Sequence, residues 1–368
     1  MKNKKKVIFI FGTRPEAIKL APVIAEMKKF PDQFESIIVL TGQHRQMLDQ
    51  ILPLFGICAD YDLNIMKEDQ SITQIVANSL LGLEGIVKKE RPAVILVQGD
   101  TSTVFAAGLI AHYHKVLLGH VEAGLRTFDK WHPFPEEINR KLTTSLADIH
   151  FAPTKTSVAN LLKEGVPQEN IHLTGNTVID ALFAVAKRDY KLEIDLDKTK
   201  KLVLVTTHRR ESFGQPLQNT LKALLRLAKA FAEEIELVLP VHKNPNINAP
   251  VRALLNGVSN IKLIEPMDYE PFVHLMKAAH IIITDSGGVQ EEAPSLGKPV
   301  LVLREKTERP EAVDFGTVKL VGTDEELIFK EASKLLTDQA AYDKMSKASN
   351  PYGDGQAASR IVKALKTL

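Results

Sequence analysis

Residues Ile281–Leu303 read IIITDSGGVQEEAPSLGKPVLVL. A short run dominated by isoleucine meets Asp285-Ser286-Gly287-Gly288, a helical stretch follows, and Lys298-Pro299 introduces a second apolar run, Val300–Leu303. The segment spells strand, Gly-Gly turn, helix, strand. Runs that are apolar throughout, rather than alternating, are buried on both faces, and a helical connection between two of them makes them parallel. The same grammar extends outward. Val7–Phe11, Ser36–Leu40, Val94–Val97 and Val116–Gly119 form one series, and Leu202–Thr206, Glu236–Val241, Lys262–Ile264, Ile281–Thr284 and Val300–Leu303 a second. Between them lies Lys187–Lys201, KRDYKLEIDLDKTKK, charged and weakly periodic. The expectation is an α/β protein of two Rossmann-like domains, 1–186 and 202–352, joined by a linker at 187–201, with ligand bound in the cleft between them. A Gly/Pro loop, Asn350–Gly355, precedes a last helix within 353–368. By analogy with chains of this architecture, that helix returns to the first domain.

Length and composition agree. A chain of 368 residues exceeds what one hydrophobic core usually serves, and 44% hydrophobic with 25% charged residues is ordinary for a globular protein. The formal net charge of +2 gives no bulk attraction to nucleic acid or a membrane surface, so an anionic ligand must be held by local groups. One cysteine, Cys58, allows no intrachain disulfide and suits a reducing cytoplasm. The opening MKNKKK resembles the basic part of a leader, but the apolar run after it is too short and reads as a first strand. No apolar run approaches the roughly 20 residues of a membrane span.

In doubly wound sheets, ligands bind beyond the carboxyl ends of the strands, and polar residues gather there in this sequence. After the first strand, Gly12-Thr13-Arg14-Pro15-Glu16-Ala17-Ile18-Lys19 combines a helix start with two cations and suits an anion; the plainer reading is a helix start in which Lys19 pairs with Glu16. Asp100, in QGDT, reads alone as a helix N-cap, while desolvation at a cleft floor would fit it for proton transfer. Glu122 follows another strand, in HVEAGLR. In FPEEINR, Glu136 and Arg140 stand at i,i+4 and could simply pair. His208-Arg209-Arg210 could clamp a diphosphate, with an ion pair to Glu211 as the plain alternative. His242 lies in a turn. Gly287 and Gly288 let backbone approach a phosphate, Ser286 adds a hydroxyl, and Glu292 could accept from a ribose diol. The turn is neither a Walker A loop nor GxGxxG, which disfavours a nicotinamide enzyme.

Order and spacing then carry a resemblance. FGTRPEAIKLAPVI, TGQHRQML, QGDTSTVF, GHVEAGLRT, FPEEINR, HFAPT, TGNTVIDAL, HRRES, PVHKNP, TDSGGVQEEAPSLGKPVLVLRE and TERPEAV resemble the non-hydrolysing UDP-N-acetylglucosamine 2-epimerases from about Val7 to the tail. The resemblance implies a glycosyltransferase-B-like fold, interconversion of UDP-N-acetylglucosamine and UDP-N-acetylmannosamine, no cofactor, no metal and a homodimer. The family's catalytic positions match Asp100, Glu122, Glu136, Arg140 and His208. Its nucleotide contacts match Arg14, Lys19, Phe272, Ser286, Gly287, Gly288, Glu292 and Arg309. Met267 stands where some relatives carry Gln near the uracil; a backbone contact survives that change and a side-chain contact does not. A second, activating UDP-N-acetylglucosamine site of bacterial members matches Gln43, Gln46, Glu136, Arg209 and His242. Some relatives use Arg where this chain has Asp69, which puts an anion beside a diphosphate.

The implied chemistry is elimination and re-addition. The C2 proton of the sugar is not acidic, and no dinucleotide fingerprint offers an oxidation route. Loss of that proton with expulsion of UDP gives an unsaturated sugar, and reprotonation on the other face inverts C2. A glycosyltransferase of the same architecture and a non-catalytic nucleotide-sugar sensor are the rival readings; the first needs an acceptor, the second shows no turnover.

Overall fold

The computed structural model of the chain describes residues 4–43, 45–67, 69–209, 213–307 and 309–368, and their side chains except at 45–47. His44, Arg210, Glu211, Ser212 and Glu308 of the motifs quoted above, and the side chain of Gln46, lie outside the described residues. The chain divides into two compact units, Met1–Phe183 with Tyr352–Leu368, and Ala184–Pro351.

In the first unit, β1 (Lys5–Phe11), β2 (Phe34–Leu40), β3 (Tyr61–Asp62), β4 (Val94–Gln98), β5 (Leu117–Val121), β6 (Ile149–Ala152) and β7 (Ile171–Leu173) form a sheet in the order β3-β2-β1-β4-β5-β6-β7. All its pairings are parallel. Helices α1 (Arg14–Met27), α2 (Arg45–Leu54), α3 (Ile72–Glu90), α4 (Ser102–Tyr113), α5 (Glu136–Leu146), α6 (Lys155–Lys163) and α7 (Thr177–Ala186) connect them. In the second unit, β8 (Lys201–Thr206), β9 (Ile235–Pro240), β10 (Ile261–Ile264), β11 (Ile281–Thr284), β12 (Val300–Val302) and β13 (Val318–Leu320) form a second parallel sheet, ordered β10-β9-β8-β11-β12-β13. Its helices are α8 (Gln215–Ala230), α9 (Pro245–Leu255), α10 (Tyr269–Ala278), α11 (Gly287–Ser295), α12 (Pro310–Asp314), α13 (Glu325–Thr337) and α14 (Gln339–Ser346). A last helix, α15 (Ala357–Lys366), belongs to the first unit and packs beside α1.

The strands are buried because both sheet faces are covered. Val7, Ile8, Phe9, Ile10 and Phe11 are all fully buried, as are Ile281, Ile282 and Ile283. In the first unit Ile8, Ile10, Val39, Ile95 and Val97 pack against Leu83, Val87, Val104 and Ala107. In the second, Val203, Val205, Leu237 and Ile283 pack against Leu221, Leu224, Val251 and Ile328. Register fixes where each strand releases its polar tail. Gln98 of β4 lies opposite Val121 of β5, so Asp100 and Glu122 emerge at one edge of the sheet. In the second unit Thr206 lies opposite Thr284, which brings His208 and Asp285 out together.

The turn after β5 depends on one glycine. Gly124 has φ +90, and a Cβ there would lie 2.3 Å from the Ser157 carbonyl oxygen on α6, while its own carbonyl accepts from the Asn160 amide at 3.0 Å. Gly124→Ala combines left-handed strain with a backbone collision, and should lower the urea unfolding free energy of the first unit by about 2 kcal/mol or more. A variant with the parental midpoint would show that the turn relaxes freely.

Candidate active site

Each sheet has one switch point, where the crossover from one strand leads left and that from its neighbour leads right. It falls between β1 and β4 in the first unit and between β8 and β11 in the second. The loops there part and leave backbone N–H groups open to an anion.

In the first unit, Glu16 of α1 fills the switch point. It is 1% exposed. Its Oε2 accepts from the N–H groups of Gly12 (3.0 Å) and Thr13 (2.7 Å), and its Oε1 from the Thr101 hydroxyl (2.7 Å). Burial pushes its carboxyl pKa up and the donors from Gly12, Thr101 and Thr13 pull it down; burial prevails. Thr101 also caps α4, accepting from the Val104 N–H at 3.3 Å, so Asp100 is not the cap that its position suggests. The expected Lys19–Glu16 pair gives way to a longer-range one.

Lys19 reaches Glu122. Its Nζ lies 2.6 Å from both carboxylate oxygens. The Gln98 amide donates to Oε2 and the Asn176 amide to Oε1, the latter at 3.1 Å. Glu122 has φ +66, a left-handed conformation rare for a residue with a side chain, and is 8% exposed. A carboxylate so buried costs several kcal/mol unless charge and donors replace its water, and Lys19, Gln98 and Asn176 do so. Two residues earlier, His120 is fully buried with Nε2 at 2.7 Å from the Gly99 carbonyl oxygen. A carbonyl only accepts, so Nε2 carries the hydrogen. Burial drives the His120 pKa down to about 3 against the Gly99 bond, with His150, its neighbour across the sheet, adding to the fall. His120 is a neutral donor that braces the turn before Asp100.

Asp100 meets Arg140. The guanidinium Nε lies 3.1 Å from Oδ2 and Nη2 bonds the same oxygen, while Asn139 donates to the Asp100 carbonyl at 3.0 Å. Arg140 Nη1 also reaches Glu137 Oε2 at 3.3 Å. Glu137, fully buried, accepts from the N–H groups of Thr127 (3.1 Å) and Phe128 (3.0 Å) and anchors the loop before α5. Glu136 opens α5 beside it, half-buried. Arg14 opens α1, and Gln43 accepts from the Thr103 hydroxyl at 3.0 Å.

In the second unit, Asp285 fills the switch point. It is fully buried, and its Oδ2 accepts from the N–H groups of His208 (2.8 Å) and Arg209 (3.0 Å) and the Thr207 hydroxyl (3.2 Å). Its Oδ1 lies 2.8 Å from His208 Nδ1. Burial raises the Asp285 pKa, and the bonds from His208 and from the backbone outweigh it, so the group stays below the usual carboxylate range. The imidazole thus turns Nδ1 toward the carboxylate. The His242 ring stacks near His208 at 6.4 Å between centroids, and its Nδ1 accepts from the Asn244 N–H at 3.1 Å.

Ser286 precedes α11, and its N–H bonds the Thr284 hydroxyl at 2.9 Å. The Arg209 guanidinium lies over Gly287, 3.8 Å from where a Cβ would stand, and Glu292 Oε2 lies by Gly288. Glu292 Oε1 accepts from the Tyr269 hydroxyl at 2.9 Å, and burial followed by that carboxylate's charge holds the Tyr269 pKa well above its ordinary value. Arg309 bonds Glu291, and Phe272 sits half-buried on α10. Within their own units, then, the structure gathers Lys19, Asp100, Glu122, Glu136 and Arg140, and gathers His208, Arg209, His242, Ser286, Gly287, Gly288 and Glu292. The residues that hold them, Gln98, Glu137, Asn176 and Asp285, were not among the candidate site residues read from the sequence, although each lies inside a quoted motif. Among the described residues no group of three or more His, Cys, Asp or Glu stands where it could hold a metal ion, and no helix is long and apolar enough to cross a membrane.

Two parallel α/β units with charged clusters at their strand ends define a two-domain enzyme of glycosyltransferase-B-like fold. The model of the UDP-N-acetylglucosamine 2-epimerase family matches residues 25–366. The UDP-N-acetylglucosamine 2-epimerase of Yersinia pestis is 54% identical over 371 residues, 98% of each chain. The crystal structure of UDP-GlcNAc 2-epimerase from Neisseria meningitidis, bound to UDP-GlcNAc, is 48% identical and superposes with a TM-score of 0.88 over 99% of this chain and 100% of that one. A glycotransferase of kitacinnamycin, 11% identical, superposes with a TM-score of 0.67 over 99% of each chain and shares the fold alone. The chain belongs to the UDP-N-acetylglucosamine 2-epimerase family.

Two measurements test this geometry. Nitrogen-15 NMR of neutral His208 should find its proton on Nδ1, and Asp285→Asn should move the balance toward Nε2; an Nε2–H tautomer in the parent would refute the Asp285 contact. Acid stability should follow the buried histidines. An unfolded His120 binds a proton near the ordinary imidazole value of 6.5 and the folded one only at about 3, so the unfolded state holds more protons in that window and stability drops as the pH is lowered through it. His120→Gln should flatten the slope; an unchanged slope would assign it elsewhere.

Proposed function

We propose that the protein interconverts UDP-N-acetylglucosamine and UDP-N-acetylmannosamine by elimination and re-addition of UDP through a 2-acetamidoglucal. The observation that carries this reading is the pair of carboxylates at the ends of β4 and β5, each paired with a cation: Asp100 with Arg140 and Glu122 with Lys19. An ionised, oriented carboxylate is what abstraction of a weakly acidic C–H requires. One carboxylate among Asp100, Glu122 and Glu136 takes the C2 proton, the C–H pair forms the C1–C2 double bond, and the C1–O bond breaks to release UDP. A second group returns a proton to the opposite face as UDP re-adds at C1. The sugar is assigned to the first unit. The nucleotide is assigned to Arg14, Phe272, Ser286, Gly287, Gly288, Glu292 and Arg309. His208 is the proposed neighbour of the diphosphate, with Asp285 orienting it.

Further parts of the reading rest on the family. A second UDP-N-acetylglucosamine would activate the enzyme through Gln43, Gln46, Glu136, Arg209 and His242, weakened by Asp69; two protomers would form a homodimer; and the cytoplasmic product would feed synthesis of a cell-surface polysaccharide. The closeness of His242 to His208 supports an effector felt at the reacting diphosphate.

Incubation of the pure protein with UDP-N-acetylglucosamine alone in deuterium oxide tests the core of it. UDP-N-acetylmannosamine bearing deuterium at C2 is expected. Product that keeps its original hydrogen would overturn elimination, a strict need for an acceptor would favour a transferase, and tight binding without turnover a sensor.

A further inference from the structure

Asn176 lies in the turn between β7 and α7, 3% exposed, with its polar groups committed in three directions. Its Nδ2 donates to Glu122 Oε1 at 3.1 Å, its Oδ1 accepts from the Val178 N–H at 3.1 Å, and its backbone N–H donates to the Tyr352 carbonyl at 2.7 Å. Tyr352 belongs to the segment that brings the chain back to the first unit. That return grips the turn on both sides of Asn176. Arg360 donates to the Thr174 carbonyl at 2.9 Å, and the Asp180 carboxylate accepts from the N–H groups of Ala357 (3.2 Å) and Ala358 (2.9 Å) at the start of α15. Gly175, at φ +89, admits the returning backbone so closely that a Cβ on it would lie 3.3 Å from the Gly353 Cα.

We propose that Asn176 is a positioning residue of the epimerisation site, fixing one oxygen of Glu122, and that the C-terminal return supplies its rigidity. The proposal rests on the epimerase reading and assigns it a new component. Lys19 approaches both oxygens of Glu122 equally and so provides charge without choosing a plane. Gln98 on one oxygen and Asn176 on the other choose it. A base must present a lone pair along one direction to a bound C–H, and small misplacements of such a group are costly in rate. The donors sit on β4 and on the loop after β7, so the plane of the carboxylate is set from elements on both sides of β5.

The side chain's two ends separate this role from a structural one. Asn176→Asp keeps size and the acceptor for Val178, but replaces the donor with a second anion beside Glu122. Asn176→Ala removes both. If Asn176 served only the fold, Ala would lower stability and Asp would be silent. A positioning role makes Asp the more damaging for turnover: kcat should fall on the order of 10-fold to 100-fold with KM little changed, as loss of a hydrogen bond to a charged group implies. The acid limb of its kcat profile should move to higher pH, since a like charge disfavours the ionised carboxylate. Should the Asp variant fail to fold, Asn176→Ser, which keeps an acceptor and is too short to reach Glu122, carries the same comparison. A parent that epimerises alongside a folded Asp or Ser variant with parental kcat and pH profile overturns this proposal alone. A parent that forms no epimer overturns the epimerase reading beneath it.

Discussion

At the switch point of a parallel sheet, two neighbouring strands send their chains in opposite directions, and the backbone between them has no partner of its own. Exposed N–H groups converge there, and burying them without an acceptor is costly. Both units meet this constraint with a carboxylate spanning the gap. Glu16 joins Gly12 and Thr13 after β1 to Thr101 after β4. Asp285, after β11, gathers Thr207, His208 and Arg209 after β8. The rest of each cluster hangs from these two anchors, since they set the path of the loops that carry Asp100 and His208.

The two anchors are shifted in opposite directions for a physical reason. Glu16 receives neutral donors and is wholly enclosed, so burial dominates and its pKa rises. Asp285 receives an imidazole as well as backbone N–H groups, and its pKa falls although it too is buried. Glu16 therefore behaves as part of the scaffold, whereas Asp285 carries a charge that can be shared with His208. Under the proposed reading, that makes the second unit the place where negative charge arriving on a diphosphate is answered, and leaves the first unit free to organise its anions around the sugar.

Much of this was legible in the residues. Long, wholly apolar runs such as Val7–Phe11 and Ile281–Thr284 announce strands buried on both faces, and the structure has them as such. The strands that escaped notice are short or interrupted by polar residues: Tyr61–Asp62, Ile149–Ala152 with His150 inside it, Ile171–Leu173 with His172, and Val318–Leu320 with Lys319. Periodicity needs length, and these have little. At the site, spacing along the chain suggested near neighbours, Lys19 with Glu16 and Arg140 with Glu136. The structure joins Lys19 to Glu122 and Arg140 to Asp100 and Glu137. Pairs within one helix, Arg140 with Glu137 among them, follow from helix geometry, while Lys19–Glu122 and Arg140–Asp100 require the strand order, which local sequence does not spell. Asn176 was hidden for the same reason: its partner lies two strands away, and its TGNT context reads as a helix start.

A plain role and a functional one need not compete for a residue, and the site shows how they divide. Thr101 takes the helix cap, so Asp100 is released from it and given to Arg140. Glu137 takes the loop N–H groups before α5, and its neighbour Glu136 stands at the helix start. His120, driven neutral by burial, braces the Gly99 carbonyl, and Glu122 two residues later receives the charges. In each case one residue takes the bond that the backbone needs, and a near neighbour is left to meet a side chain from another element or the start of a helix. Preorganisation of this kind fixes the direction of charged groups before a ligand arrives, so binding need not reorganise them. It also explains the left-handed backbone of Glu122. An extended residue there would continue β5 and turn its side chain along the pleat, whereas φ +66 ends the strand and delivers the carboxylate to donors on α1, β4 and the turn after β7 at once.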